Sequence, residues 1–259
     1  MDLNLKRKNV LISGASKGIG LACAKGFAAE GCNLHLASRT EEDLLTAKAQ
    51  INAISDVDVT IYPLDLSQSS NVDKLAKKCS EIDILVNNAG AIPAGNIEAI
   101  DERRWREAWD LKVFGYINMT RQFYPLIKNN GGGVIMNVIG LAGVRVDRNY
   151  IAGSTGNASI IGFTNAMGAH ALDEGMRVLG VCPGAVQTER ITTMLKTRAK
   201  DEKGDEDRWQ DYFSGMPLNR PALVEEVADV VVFLCSDRAS WLTGTTINLD
   251  GGVANRGGY

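Results

Sequence analysis

Seven short, mainly apolar runs recur along the chain, each followed by a longer stretch with helical patterning. They are "NVLIS" (Asn9–Ser13), "NLHLAS" (Asn33–Ser38), "VTIYPL" (Val59–Leu64), "DILVNN" (Asp83–Asn88), "GVIMNVI" (Gly133–Ile139), "RVLGVC" (Arg177–Cys182) and "TTINLD" (Thr245–Asp250). Runs that are nearly all apolar, rather than alternating, predict strands buried on both faces. The stretches between them read as helices, for example "LACAKGFAAEG", which Gly31 is placed to stop. Strands alternating with helices predict an α/β fold, a three-layer doubly wound parallel sheet of Rossmann type with about seven strands. No internal repeat or long linker interrupts the pattern, so residues 1–259 read as a single domain. One segment departs from it. "LKTRAKDEKGDEDRWQDYF" (Leu195–Phe213) is polar and charged with interspersed aromatics, and predicts a helical lid over about 189–216. Its Met194, Leu195, Trp209, Tyr212, Phe213 and Met216 either line a partly apolar substrate cavity or pack the lid on the body.

Composition narrows the function without naming it. A net charge of −3 lacks the basic footprint of a nucleic-acid binder. The apolar runs fall well short of the ~20 residues that span a bilayer, and the N-terminus runs directly into a strand rather than reading as a signal peptide. Five scattered cysteines without a CxxC pair read as reduced thiols of a cytoplasmic protein. His35 and His170 have no Cys or His partner at ligand spacing, so no metal site is expected.

Chemistry first shows in "SGASKGIG" (Ser13–Gly20), between the first strand and the first helix. Gly14, Gly18 and Gly20 allow a tight turn and a close approach to a pyrophosphate, whose charge then meets a helix N-terminus. After the second strand the chain reads "ASRT", with Arg39 and no acid before Glu41, and Lys17 adds a second cation. An NAD site usually places a carboxylate at that corner to hold the ribose 2′-hydroxyl. Two cations without one favour a 2′-phosphate, hence NADP(H) over NAD(H).

Together these motifs identify the chain as similar to the short-chain dehydrogenase/reductase family, and the likeness covers nearly its whole length. The family's TGxxxGIG motif appears with Ser13 for Thr, its NNAG motif is Asn87–Gly90, and its PG motif is Pro183–Gly184. The resemblance implies a nucleotide held by Gly14, Ser16, Lys17, Gly18, Ile19 and Gly20 on the first loop, and by Arg39, Asp65 and Leu66 at the adenine end. Asn88, Ala89 and Gly90 would follow the fourth strand, with Pro183, Gly184, Val186 and Thr188 at the nicotinamide end. It also implies a small-molecule substrate and a homo-oligomer, dimer or tetramer, built through Asp101–Lys128, Ile151–Leu172 and Thr245–Asp250.

The family's catalytic set is a Ser, a Tyr and a Lys, with an Asn on the preceding helix. The Tyr moves a proton at the substrate oxygen and, titrating near ~10 by itself, needs the neighbouring Lys to work near neutrality. Alignment on "GFTNAMG" (Gly162–Gly168) puts the Tyr position at Gly153 and the Lys position at Asn157. The Ser position falls at Gly140 and the Asn position at Lys112. No lysine occurs between Lys128 and Lys196, so no shift of frame restores the pair. Lys112 and Asn157 look exchanged, which would keep a cation beside the nicotinamide ribose. Tyr150 stands three residues before the Tyr position, about one helical turn, and Ser154 keeps only the YxxxK spacing to it. Lys112, Tyr150, Ser154 and Asn157 are therefore the candidate catalytic residues, although Lys112 could equally lie on a helix surface and Tyr150 could be a packed loop residue. Arg145, Asp147 and Arg148 could receive an anionic group or form a solvated loop.

Three functions fit this sequence: an NADP(H)-dependent oxidoreductase with a rearranged site, a family-derived enzyme of elimination, cyclisation or hydrolysis, and a non-catalytic NADP(H)-binding protein. Fold resemblance cannot choose among them, because function belongs to the site.

Overall fold

A computed structural model describes residues 1–256 and contains the seven expected strands in one sheet. They are β1 (Asn9–Ser13), β2 (Asn33–Ser38), β3 (Val59–Pro63), β4 (Ile84–Asn87), β5 (Gly133–Val138), β6 (Met176–Pro183) and β7 (Thr245–Leu249). All pair in parallel, in the order β3-β2-β1-β4-β5-β6-β7. Leu64, Asp83, Asn88, Ile139 and Asp250 fall just outside their strands, where the chain turns into loops, and β6 gains a residue at each end. Pro183 is tolerated there because it closes the strand, opposite Leu249.

Side chains alternate across the sheet, which divides the core in two. Val10 and Ile12 of β1 face one cluster, covered by α1 (Gly18–Ala29), α2 (Glu41–Asn52) and α8 (Val224–Cys235). Leu11, between them, faces a second cluster under α3 (Ser69–Lys78) and α5 (Gly115–Asn129). Helix α1 ends at Ala29, and Gly31 follows with φ +78, the left-handed turn that its residue type permits. All five cysteines are buried free thiols.

The direction of winding reverses between β1 and β4, where the loops after their C-terminal ends part to leave a crevice, the usual place for a ligand in such a sheet. Two helices border its far side, α4 (Glu102–Trp109) and α6 (Ile151–Gly168). The segment after β6 leaves the body and returns at a narrow neck, where Gln187 N donates to Ala222 O (2.8 Å) and Ala222 N to Ala185 O (2.9 Å). Between those points lie α7 (Glu189–Lys203) and a run of 3₁₀ turns (Glu206–Gly215). The Tyr212 hydroxyl donates to Glu202 (2.7 Å), and its ring lies under Arg198 and Lys203 at 4.7 and 4.4 Å. Trp209 meets Phe213 edge to face at 5.3 Å. Tyr212 thus ties the segment to itself. No helix among the described residues is long and apolar enough to cross a membrane.

Candidate active site

The glycine loop is held from beneath by the residues after β4. Ser13 Oγ accepts from the backbone N–H of Asn88 (2.9 Å) and of Ala89 (3.1 Å), so serine supplies the oxygen that the family's threonine would. Asn88 Nδ2 donates to the carbonyls of Ser13 and Gly14, both at 3.1 Å. Gly14 has φ +66, and a Cβ on it would lie 2.9 Å from Ala89 Cα. The loop closes only with glycine there. Helix α1 begins with Lys17 as its cap, without a capping side-chain bond or an acid in the first turn. Its positive end is left open to an anion, which fits a dinucleotide pyrophosphate.

Where the resemblance places the adenine, Arg39, Asp65 and Ser67 line a cavity of about 280 Å³ together with Arg104 and Glu107 of α4. One Asp65 carboxylate oxygen accepts from Ser67 N (3.0 Å) and Ser67 Oγ (2.8 Å), which fixes its orientation. Arg39 is exposed. Lys17 reaches Glu189 at 4.0 Å across two exposed side chains, a weak pairing that leaves its charge available. A larger cavity of about 570 Å³ lies at the opposite end of the sheet, around Asn9, Asn33 and Val59 at the starts of β1, β2 and β3. It is remote from the nucleotide loop and from the candidate catalytic residues alike.

Where the resemblance places the nicotinamide, Gly184 packs against Asp250, and Thr188 caps α7 by accepting from Ile191 N. Lys112 stands in a π-helical turn (Asp110–Phe114) joining α4 to α5, a widened turn of the kind often found at functional sites. It is buried, not on a helix surface. Its stem crosses Gly90 so closely that a Cβ there would lie 2.5 Å from Lys112 Cδ. Its Nζ donates to Val138 O (2.8 Å), Ile139 O (3.0 Å) and Tyr116 Oη (3.0 Å), and Tyr116 in turn donates to Val138 O (2.8 Å). Those three bonds engage every proton of the ammonium group. Burial first, and the nearby Arg190 second, lower its pKa from 10.5 to about 7. The site therefore holds a fixed cation whose charge titrates near neutrality.

Asn157 of α6 is also buried, and its Oδ1 has no hydrogen-bond partner among the described residues. The amide borders the space above Gly140, where a Cβ would stand 3.2 Å from Asn157 Nδ2. Tyr150 caps α6 rather than lying within it, and the helix begins at Ile151. A Cβ on Gly153 would fall inside the Tyr150 ring, against Cε1 and Cζ. The ring packs on Ile92, Ala108 and Ala152 beside Trp105. Its backbone is fixed from outside: Gly95 N donates to Asn149 O (2.7 Å), and Ile151 N to Gly95 O (3.2 Å). Ser154 is directed elsewhere. Its hydroxyl accepts from Asp147 N (2.9 Å) and donates to Asp147 O (3.3 Å), stapling the loop before α6.

Two residues at this site carry little signal in the sequence. Tyr116 shares the lysine's bonds, and only its i+4 spacing from Lys112 could have flagged it. Arg190, in the first turn of α7, donates to Ile92 O in the loop after β4. Its signal is a cation at a helix N-terminus, where the dipole disfavours one.

Comparisons with known proteins agree with this fold. The family profile described as enoyl-(acyl carrier protein) reductase matches residues 14–254. An uncharacterised oxidoreductase of Thermotoga maritima is 32% identical, covering 96% of this chain and 98% of its own length. The 3-oxoacyl-[acyl-carrier-protein] reductase FabG of Chlamydia muridarum is 30% identical over 98% of this chain and 100% of its own. Among solved structures, the L-sorbose reductase of Gluconobacter frateurii, complexed with NADPH and L-sorbose, superposes with a TM-score of 0.91. It is 29% identical and covers 97% of this chain and 98% of its own. An NAD⁺-bound xylitol dehydrogenase superposes with a TM-score of 0.88 at 25% identity, over 96% of this chain and 100% of its own. The chain belongs to the short-chain dehydrogenase/reductase family. Its function is that of an NAD(P)-dependent oxidoreductase.

Proposed function

We propose that the protein uses NADP(H) to interconvert a carbonyl and an alcohol on a small organic substrate, through a rearranged site in which Tyr150 and Lys112 take over from the family's Tyr and Lys. The observation that carries this reading is the Tyr150 ring, which fills the volume where a side chain on Gly153 would begin. A tyrosine thus returns to the catalytic corner from the cap of α6.

A nicotinamide held at this site would supply the hydride exchanged with the substrate carbon. In reduction the substrate gains that hydride at carbon and one proton at oxygen, and the Tyr150 hydroxyl is the group that delivers the proton. Lys112 contributes positive charge beside the developing oxyanion, and its three bonds keep it from moving. Asn157 Oδ1, a buried acceptor lacking a donor, is suited to a ribose hydroxyl, since leaving such a group unpaired costs ~1–3 kcal/mol. Arg39 and Lys17 favour the 2′-phosphate, and no acid stands before Glu41 to oppose it. The 189–216 segment serves as the lid of a single-domain protein that assembles as a dimer or tetramer.

Titration calorimetry tests the cofactor half of this reading. NADPH should bind more tightly than NADH by ~10-fold or more, and Arg39→Asp should reverse the order. Equal affinities would overturn it.

A further inference from the structure

Arg190 stands against the dipole of α7 and yet has no acidic partner among the described residues. Its one bond, to Ile92 O, leads it from the lid side of the crevice to the loop after β4. Ile92 belongs to the cluster on which Tyr150 packs. Arg190 is also close enough to Lys112 to add to the lowering of the lysine's pKa, so the corner holds one permanent cation and one that titrates near neutrality. Glu189, its neighbour in the chain, makes only a weak contact with Lys17 at 4.0 Å and no ion pair with Arg190. Arg190 is exposed and no acid among the described residues is paired with it, so its charge is available to an anionic ligand entering the crevice.

A purely structural clasp would not need a guanidinium. The Ile92 carbonyl takes one of five N–H donors and leaves the rest of the fork free. Lys112 offers charge but no free N–H. One guanidinium fork matches the two oxygens of one carboxylate, whereas a phosphate dianion calls for more donors than this corner offers. We propose that Arg190 receives the carboxylate of an anionic substrate, so that the protein acts on oxo or hydroxy acids with the reacting carbon next to Tyr150. This rests on the oxidoreductase reading given above. Arg190 takes no part in the bond changes and sets which substrates are positioned for them.

The test uses the full protein with NADPH and three probe acids, 2-oxobutanoate, 3-oxobutanoate and 4-oxopentanoate, each beside its methyl ester. The best acid should exceed its ester in kcat/KM by ~10-fold or more. Arg190→Gln should raise KM for the acid ~10–100-fold, at least ~10-fold more than it changes KM for the ester, and leave the NADPH Kd from nucleotide fluorescence unchanged. Arg190→Lys, which keeps the charge but not the fork, should fall between. An ester equal to its acid, or an equal loss on both in Arg190→Gln, would overturn the proposal, the latter marking Arg190 as a clasp alone. A matching loss of NADPH affinity would also overturn it, by assigning the guanidinium to the nucleotide. Should no probe be reduced, the redox reading fails separately. Thermal shifts by the acids in the presence of NADP⁺ then decide the matter: a shift lost in Arg190→Gln supports carboxylate binding, and no shift by any acid rejects it.

Discussion

Replacing Lys112 by methionine removes a buried charge while nearly keeping the shape of the stem, and the structure fixes how the result must depend on pH. In the unfolded chain this lysine holds its proton up to about 10.5, and in the fold only up to about 7. Between those values the unfolded state binds one more proton, so the wild-type fold gains stability as pH rises, by at most about 1.4 kcal/mol per pH unit. The methionine chain has no such group. Its fixed offset is smaller and of mixed sign: Ile139 O loses its lysine donor, at ~1–3 kcal/mol, while Val138 O keeps Tyr116 and the cost of burying a cation disappears. The buried thiols, such as Cys23 and Cys79, both raised to about 12 by burial, are common to both chains and cancel in the difference. Urea unfolding at pH 7.5, 8.5 and 9.5, at one protein concentration, measures that difference directly. The wild type should gain on Lys112→Met by roughly 2–3 kcal/mol across that range. Parallel profiles would refute the reasoning, because they would mean that the folded lysine keeps its ordinary affinity for a proton.

Gly90→Ala should cost ~1–3 kcal/mol in thermal or urea unfolding, because its Cβ would meet Lys112 Cδ at 2.5 Å, and most of that cost should vanish in a Lys112→Ala background. Ser154→Ala should loosen the loop before α6, with faster proteolysis near Asp147 and a loss of about 1 kcal/mol, and an unchanged cleavage rate would deny the staple. Light scattering should report a dimer or tetramer, and a monomer at micromolar concentration would contradict the assembly inferred from the family.

The layers of the fold were legible because β1, β4, β5 and β6 are apolar on both faces, a pattern no surface strand can afford, and because Gly14 and Gly20 mark a turn that closes only on glycine. Strand ends were read a residue or so off, since Leu64 and Ile139 are apolar and still donate to Ser38 O and Val181 O of the neighbouring strands just beyond the last paired residues. The site was less legible. Alignment on the family motifs led to the expectation that the four catalytic positions differ here, with Lys112 and Asn157 exchanged. It could not show that Lys112 turns its three protons toward Tyr116 and the end of β5, because the bonds to Val138 and Ile139 span 26 and 27 residues. Nor could helical spacing show where Tyr150 lies. It caps α6, and its ring folds back over Gly153, a placement set by the Gly95 bridge. Arg190 contacts Ile92 across 98 residues and left no local pattern beyond its unfavourable place in the helix.

The central claim is that hydride chemistry persists here with a relocated tyrosine, and the most direct measurement compares wild type with Tyr150→Phe in single-turnover reduction of an accepted carbonyl by prebound NADPH. The expected result is a loss of about 10²–10⁴ in rate with the NADPH Kd unchanged, since the variant lacks only the hydroxyl that carries the proton. A Tyr150→Phe protein that turns over at the wild-type rate would contradict the account, and would mean that the ring over Gly153 packs the helix without taking part in the chemistry.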